Sequence, residues 1–240
     1  MPLDFEELDY QETPLGPISL RRRADPRLGG EIVYEIKLGD EFLMSSRFTT
    51  GEAQLAKLAL SGVAGSELDV VVGGLGLGYT AAAALEHPSV RSLGVIEVME
   101  PVIEWHRRGL LPLGNALATD PRCTLAHADF FEWALSDERC GREELPWPVH
   151  AVLLDIDHSP SHWLNPANSA FYSGRGLHSL AEKLHPGGVF GMWSDDPPDV
   201  EFTSLLRSVF GSCEPHVVTF PNPYTGEESS CTIYRARRCG

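Results

Sequence analysis

The sequence predicts an α/β fold, a doubly wound and mostly parallel sheet preceded by a small N-terminal β-region. Three observations carry that prediction. From Leu68 onward, apolar strand-like runs alternate with helical patterns, a rhythm that implies a parallel sheet covered on both faces. The first of those runs leads through a glycine-rich turn into an alanine-rich helix, as nucleotide-binding turns do. Before the alternation begins, the chain shows only short period-two segments separated by turn residues, which read as strands.

In chain order, Ile18 to Arg22 alternates, and Glu31 to Lys37 carries Ile32, Tyr34 and Ile36 on one face. Phe42 to Ser45 follows a Gly39-Asp40 turn suited to a hairpin. Thr49 with Glu52 three residues on has the capping-box form, and Leu55, Leu58 and Ala59 recur at helical spacing, so a linking helix is expected over about 50 to 61. Strands are expected at Leu68 to Val72, Ser92 to Val98, Cys123 to Ala126, Val149 to Leu154 and Val189 to Trp193. The stretch Ser136 to Pro148, rich in charge and proline, reads as a surface excursion. From about 213 to 238 the pattern is strand, Pro/Gly/Asn-rich turn and strand, a terminal antiparallel hairpin. The expected division is 1–62 for the N-terminal strands and linking helix and 63–240 for a Rossmann-like nucleoside-binding domain.

Composition narrows the partners. With 42% hydrophobic and 22% charged residues over 240 positions, the chain has the make-up of a globular protein able to fold alone. Met1 to Glu12 is acidic and lacks the basic and apolar regions of a secretory leader, and no apolar run reaches membrane-spanning length. A cytoplasmic location without membrane contact is the expectation. Cys123, Cys140, Cys213, Cys231 and Cys239 are scattered, with no C-x-x-C pair, and read as free thiols. The 34 acidic against 19 basic residues give a formal charge of −15, which repels phosphate backbones and suits cationic small molecules, although acidity also serves solubility. Nucleic acid is not an expected partner.

The most informative stretch is Asp69-Val70-Val71-Val72-Gly73-Gly74-Leu75-Gly76-Leu77-Gly78-Tyr79-Thr80. Such a turn brings bare backbone N–H groups close to a ligand. A dinucleotide fingerprint would place its third glycine where Tyr79 stands; Gly74, Gly76 and Gly78 instead give G-x-G-x-G, and the next strand ends on Glu97 one βαβ step later. Asp129, in Ala128-Asp129-Phe130-Phe131, either caps the helix Phe130 to Leu135 or faces a ligand, and one Asp can do both.

With Ile96-Glu97-Val98-Met99-Glu100-Pro101, Val152-Leu153-Leu154-Asp155, Phe171-Tyr172, Leu184-His185-Pro186-Gly187-Gly188, Trp193-Ser194-Asp195-Asp196-Pro197 and Pro221-Asn222-Pro223-Tyr224-Thr225-Gly226 following in order, the chain resembles the spermidine synthases over roughly residues 10 to 236. These are polyamine aminopropyltransferases within the class I S-adenosylmethionine-dependent methyltransferase superfamily. The resemblance implies a transferase of polyamine biosynthesis with the methyltransferase-like fold. Gly74, Gly76, Gly78, Glu97 and Asp129 would hold the adenosine of the donor, with Glu97 taking the ribose hydroxyls and Asp129 the adenine amino group. Asp155 matches the family's catalytic Asp, which takes a proton from the attacking amine. His158 stands where the family has a second Asp, and Asp157 is displaced by one position. Asp157, Asp195, Asp196 and Glu52 are the acids expected around a small cationic amine acceptor. No metal is expected, and a homodimer is compatible with the family.

Two departures bear on substrate choice. The family's Asp within the glycine turn, which holds the donor's amine and repels a carboxylate, is Gly76 here, so the donor is either decarboxylated S-adenosylmethionine or S-adenosylmethionine itself. The Tyr-His-Glu run that opens the family's linking helix is replaced by Gly51-Glu52-Ala53. Aminopropyl transfer therefore leads, methyl transfer to a small molecule from the intact donor is the alternative that Gly76 favours, and a noncatalytic nucleoside-binding protein is the one that the missing acceptor residues favour. Asp157, His158 and His162 are metal-ligand types, but Pro160 between the histidines argues for a loop. Ser194, Ser229 and Ser230 lack the elbow that exposes a serine nucleophile.

Overall fold

A computed structural model of the chain describes residues 5–136 and 145–240. The N-terminal part is a four-stranded antiparallel meander of β1 (Phe5–Thr13), β2 (Gly16–Asp25), β3 (Glu31–Leu38) and β4 (Glu41–Ser45), adjacent in that order. Sequence pattern did not reveal β1, whose Glu6, Glu7, Asp9 and Glu12 mark the segment only as acidic. Its partner explains it: Glu6 and Glu7 stand opposite Arg22 and Arg21 of β2, and Arg22 closes to 2.6 Å on Glu6, the opposite-charge pairing that favours adjacent strands. On β3 the expected apolar face is uneven, since Ile36 is buried and Ile32 is 46% exposed. On the other face Val33 is buried beside a buried Glu35, which is held by Arg21 at 2.7 Å and Arg23 at 2.9 Å.

The linking helix α1 (Thr50–Leu60) forms as expected and buries Leu55, Ala56, Ala59 and Leu60. Its capping box does not. Thr49 makes no side-chain cap bond, and Glu52, the other half of the box, lines a cavity instead. The helix lies close on the main sheet because Gly191 has no side chain there: a Cβ at that position would stand 2.8 Å from Ala59 and 3.1 Å from Leu55.

The main sheet contains β5 (Leu68–Gly73), β6 (Val90–Glu97), β7 (Cys123–His127), β8 (Val149–Leu154), β9 (Leu184–Ser194), β10 (Gly211–Asn222) and β11 (Glu227–Arg238), in the order β10-β11-β9-β8-β5-β6-β7. β5 to β9 pair in parallel, and the terminal hairpin joins through β11 antiparallel to β9. The helices are α2 (Tyr79–Leu85), α3 (Glu100–Arg107), α4 (Ala116–Thr119), α5 (Phe130–Leu135), α6 (Gly174–Lys183) and α7 (Val200–Phe210). Val70 and Val72 of β5 enter one hydrophobic cluster with Leu55, Ile103 and Trp105, while Val71 enters the other with Val152, Phe171 and Phe190. Both faces of the sheet are thus covered, which is why its central strands are continuous apolar runs. This is the doubly wound α/β fold that the sequence predicts.

Strand order reverses at β5, with β6 on one side and β8 on the other. A ligand crevice belongs at the carboxyl ends of the strands at such a switch point, where the glycine turn leaves β5. Cys123, Cys213, Cys231 and Cys239 are free thiols, and Cys140 lies outside the described residues, as does most of the expected excursion between Ser136 and Pro148. Among the described residues, no helix is long and apolar enough to cross a membrane.

Candidate active site

A cavity of about 890 Å³ opens at the carboxyl ends of β5, β6, β8 and β9, covered by β4 and by the terminal hairpin. It brings together Glu52, Gly74, Gly76, Glu97, Asp129, Asp155, His158 and Asp195. Gly78, Asp157 and Asp196 are not part of its wall. Five of the lining side chains carry a carboxyl group, and no Lys or Arg among the described residues joins them.

The glycine turn is shaped by what surrounds it. Gly74 has φ +92°, and a Cβ there would run into the main-chain carbonyl of Asp155, so the ends of β5 and β8 approach closely only because residue 74 is bare. Glu97 braces the turn, its Oε2 accepting from Leu75 N–H at 2.9 Å and its Oε1 from Met99 N–H at 2.8 Å. Burial pushes the Glu97 carboxyl up from its ordinary range, and these backbone N–H bonds pull against that shift. Each oxygen keeps further lone-pair capacity for a ligand hydroxyl. Gly78 works beneath the turn, where a Cβ would meet Leu117 at 2.6 Å and His106 at 2.7 Å. His106, fully buried, donates from Nε2 to the Gly76 carbonyl at 2.9 Å, and burial lowers its pKa, with the Gly76 bond opposing.

Asp129 takes up the N-cap, its Oδ1 accepting from Phe131 N–H at 2.7 Å and Glu132 N–H at 3.2 Å, while the residue also lines the cavity. Asp155 and Glu52 form a second feature. Thr80 Oγ1 donates to Asp155 Oδ2 at 2.6 Å, which fixes the carboxylate at the end of β8. Burial drives the Glu52 carboxyl upward and the nearby Asp155 charge adds to it. Burial likewise raises Asp155, with the Thr80 bond opposing. Two acids in one partly dry wall cannot both ionise cheaply.

The sign of the resulting pH dependence follows directly. Unfolded Glu and Asp ionise in the ordinary range, about pH 4, so above it the fold retains protons that the unfolded chain has released. The stability this pair contributes is complete below that range and is lost as pH rises through the raised folded values. Glu52→Gln should therefore gain on the wild type between pH 5 and pH 8, by roughly 2–4 °C in thermal midpoint, the response of a chain this size to about 1 kcal/mol. Parallel melting curves at the two pH values would refute the pairing.

The remaining sequence-chosen acids take other places. Asp157 is buried and accepts from Leu164 N–H (2.8 Å), Asn168 Nδ2 (2.9 Å) and Tyr172 Oη (2.8 Å), so it ties down the segment after β8 rather than facing the cavity. Asp196 is exposed at the end of β9. Asp195 donates its N–H to the His158 carbonyl at 2.8 Å. His158 Nε2 lies 3.1 Å from Glu41 Oε1 of β4, and its ring packs on His162 at 4.8 Å between centroids. Among the described residues, no group of three or more His, Cys, Asp or Glu is arranged to hold a metal.

Several side chains at the cavity were not assigned to it from the sequence. Thr80, Met44, Trp193 and Glu41 reach the site or its residues from distant segments. Thr80 alone had a local signal, since it opens the helix behind a glycine turn.

No family model matches the chain. The chain is 28% identical over 164 residues to polyamine aminopropyltransferase 2 of Pseudomonas aeruginosa, covering 64% of this chain and 43% of that protein. It is 26% identical over 196 residues to the polyamine aminopropyltransferase of Prochlorococcus marinus, covering 77% and 64% respectively. The chain thus spans less than two thirds of either curated relative. The spermidine synthase of Thermotoga maritima superposes with a TM-score of 0.71 at 18% identity over 97% of this chain and 72% of that one. Human methyltransferase-like protein 13, solved with SAH, does so at 0.53 and 19% identity over 80% and 79%. The fold is that of the spermidine synthases and their methyltransferase-like neighbours, and in sequence the chain is similar to the aminopropyltransferases.

Proposed function

We propose that this chain is an aminopropyltransferase of polyamine biosynthesis, moving the aminopropyl group of a decarboxylated S-adenosylmethionine donor onto a small cationic amine. The acidic lining of the cavity carries the reading: five carboxyl side chains and no Lys or Arg among the described residues. A cationic tail and a cationic acceptor are both compensated there, whereas a donor carboxylate would be desolvated beside like charges. This places methyl transfer from intact S-adenosylmethionine second, despite Gly76.

Within this reading the donor supplies a carbon made electrophilic by the adjoining sulfonium. Glu97 receives the ribose hydroxyls and Asp129 the adenine amino group, and Gly74 and Gly76 admit the nucleoside against bare backbone. Amines are protonated in neutral water, so Asp155 takes a proton from the acceptor ammonium before attack. Its raised titration brings it nearer to an effective base. The amine lone pair then forms the N–C bond, the C–S bond breaks with its electrons going to sulfur, and methylthioadenosine leaves uncharged. Asp195 offsets the ammonium charge of the acceptor, Glu52 in its protonated form stands beside Asp155, and His158 borders the acceptor pocket. Asp157 acts on the protein itself rather than on the acceptor, and Asp196 stands outside the cavity wall. A cytoplasmic location, a homodimer and a division into 1–62 and 63–240 belong to the same proposal.

The test is calorimetric titration with decarboxylated S-adenosylmethionine, S-adenosylmethionine and methylthioadenosine, followed by turnover assays with putrescine, cadaverine, agmatine and spermidine. The decarboxylated donor should bind at least ~10-fold tighter than the intact one, about 1.4 kcal/mol, and one of the amines should be turned over. Tighter binding of the intact donor would give methyl transfer the lead. Binding without turnover of any amine would leave a nucleoside-binding protein.

A further inference from the structure

The glycine turn carries a guest from another sheet. Gly76 sits at φ +46°, and a Cβ built on it would run into the sulfur of Met44, with the Met44 methyl 3.3 Å away. The same sulfur accepts the Leu77 N–H at 3.0 Å. Met44 belongs to β4 of the N-terminal meander and lines the cavity beside Gly76. The space that a side chain at position 76 would fill is therefore occupied by a thioether arriving from another sheet, 33 residues before the Leu77 whose N–H it accepts.

We propose that Met44 is the residue that selects the donor tail, standing in the space of the absent side chain at 76 and closing the turn to a tail that bears a carboxylate. The proposal rests on the nucleoside reading of this cavity and adds to it the group that discriminates between donors. A backbone N–H at a glycine turn is a natural partner for an anion, but the Leu77 N–H is already engaged by sulfur. Thioether sulfur is a weak acceptor and no donor, so it offers a carboxylate nothing in return for its lost hydration. An ammonium tail needs no such donor, because the wall already holds Glu52 and Asp155. At the turn itself, selection against the carboxylate is thus achieved by an apolar obstacle that adds to the acidity of the cavity wall.

A side chain at 76 and the thioether compete for one volume, so the two positions must be coupled. Restoring an Asp at 76 cannot act simply as an electrostatic gate, as the sequence alone suggests, because Met44 must first move. The experiment titrates methylthioadenosine, decarboxylated S-adenosylmethionine and S-adenosylmethionine into wild type, Met44→Ala, Met44→Leu, Gly76→Asp and the Met44→Ala/Gly76→Asp double variant. Met44→Ala frees the Leu77 N–H and should narrow the preference for the decarboxylated donor by ~10-fold or more. Met44→Leu also frees the Leu77 N–H but keeps the bulk that shields it from a tail, and should retain most of that preference. Gly76→Asp should weaken methylthioadenosine binding ~10-fold or more alone and markedly less in the double variant. If wild type binds methylthioadenosine and Met44→Ala leaves the donor ratio unchanged, the proposal for Met44 is overturned while the nucleoside reading stands. Additive single effects in the double variant would overturn it too, since groups sharing a volume do not add. If wild type binds no methylthioadenosine, the nucleoside reading falls and the proposal falls with it.

Discussion

Asp155→Asn is expected to lower turnover of an accepted amine by a factor on the order of 10² or more while leaving methylthioadenosine affinity nearly unchanged. Asn preserves the shape of the side chain and can still accept the Thr80 hydroxyl that now bonds Asp155 at 2.6 Å. It cannot take a proton or balance an ammonium charge. The substitution also removes the charge that helps push Glu52 upward, so Glu52 should titrate closer to its ordinary range in the variant. Rate and affinity are to be measured on one preparation. Loss of rate alone places Asp155 on the acceptor side of the sulfonium. Equal turnover by variant and wild type would dismiss it as the base and make His158 the next residue to test.

Glu97→Ala should weaken methylthioadenosine binding by about 1.5–3 kcal/mol, the worth of hydrogen bonds to a charged acceptor. The geometry adds a second cost, because Glu97 also accepts the Leu75 and Met99 N–H groups. Truncation leaves both of those donors without a partner. Glu97→Gln separates the contributions: one oxygen remains to accept, but an NH₂ now faces a backbone N–H. It should lose affinity with a smaller loss of stability than the alanine variant. A folded Glu97→Ala protein that binds methylthioadenosine as well as wild type would refute the ribose assignment.

What the sequence revealed follows a physical line. The central strands were legible because burial on both faces makes them unbroken apolar runs, and the crevice was legible because the glycine turn and Glu97 lie within one βαβ step. β1 was not, because its acidic residues acquire strand character only from the arginines of β2 that stand across from them. The Thr49 and Glu52 pair was misread for the opposite reason: the local pattern fits a capping box, but the tertiary structure puts Glu52 in the cavity wall. Asp157 matched a motif by proximity, yet Asn168 and Tyr172 claim its oxygens, and neither partner is identifiable from spacing. Met44 is the extreme case, a methionine in a short strand whose role exists only where two sheets meet.

The cavity wall is drawn from both halves of the chain's connectivity. Pro14 and Leu15, at the β1–β2 turn, share it with Phe220, Asn222, Ser229 and Ser230 of the terminal hairpin, and Tyr224 donates to Asp25 at 2.8 Å across 199 positions. During synthesis, the meander can form from neighbouring strands as soon as it emerges, but the pocket has no complete wall until the hairpin docks on β9. Contacts of such long separation are slow to close. A nucleoside that needs the full wall therefore binds only the finished molecule and draws the population toward it, by about 2.7 kcal/mol at a hundredfold excess over its Kd. Under the proposed function, methylthioadenosine present during refolding should therefore raise the yield of the complete fold.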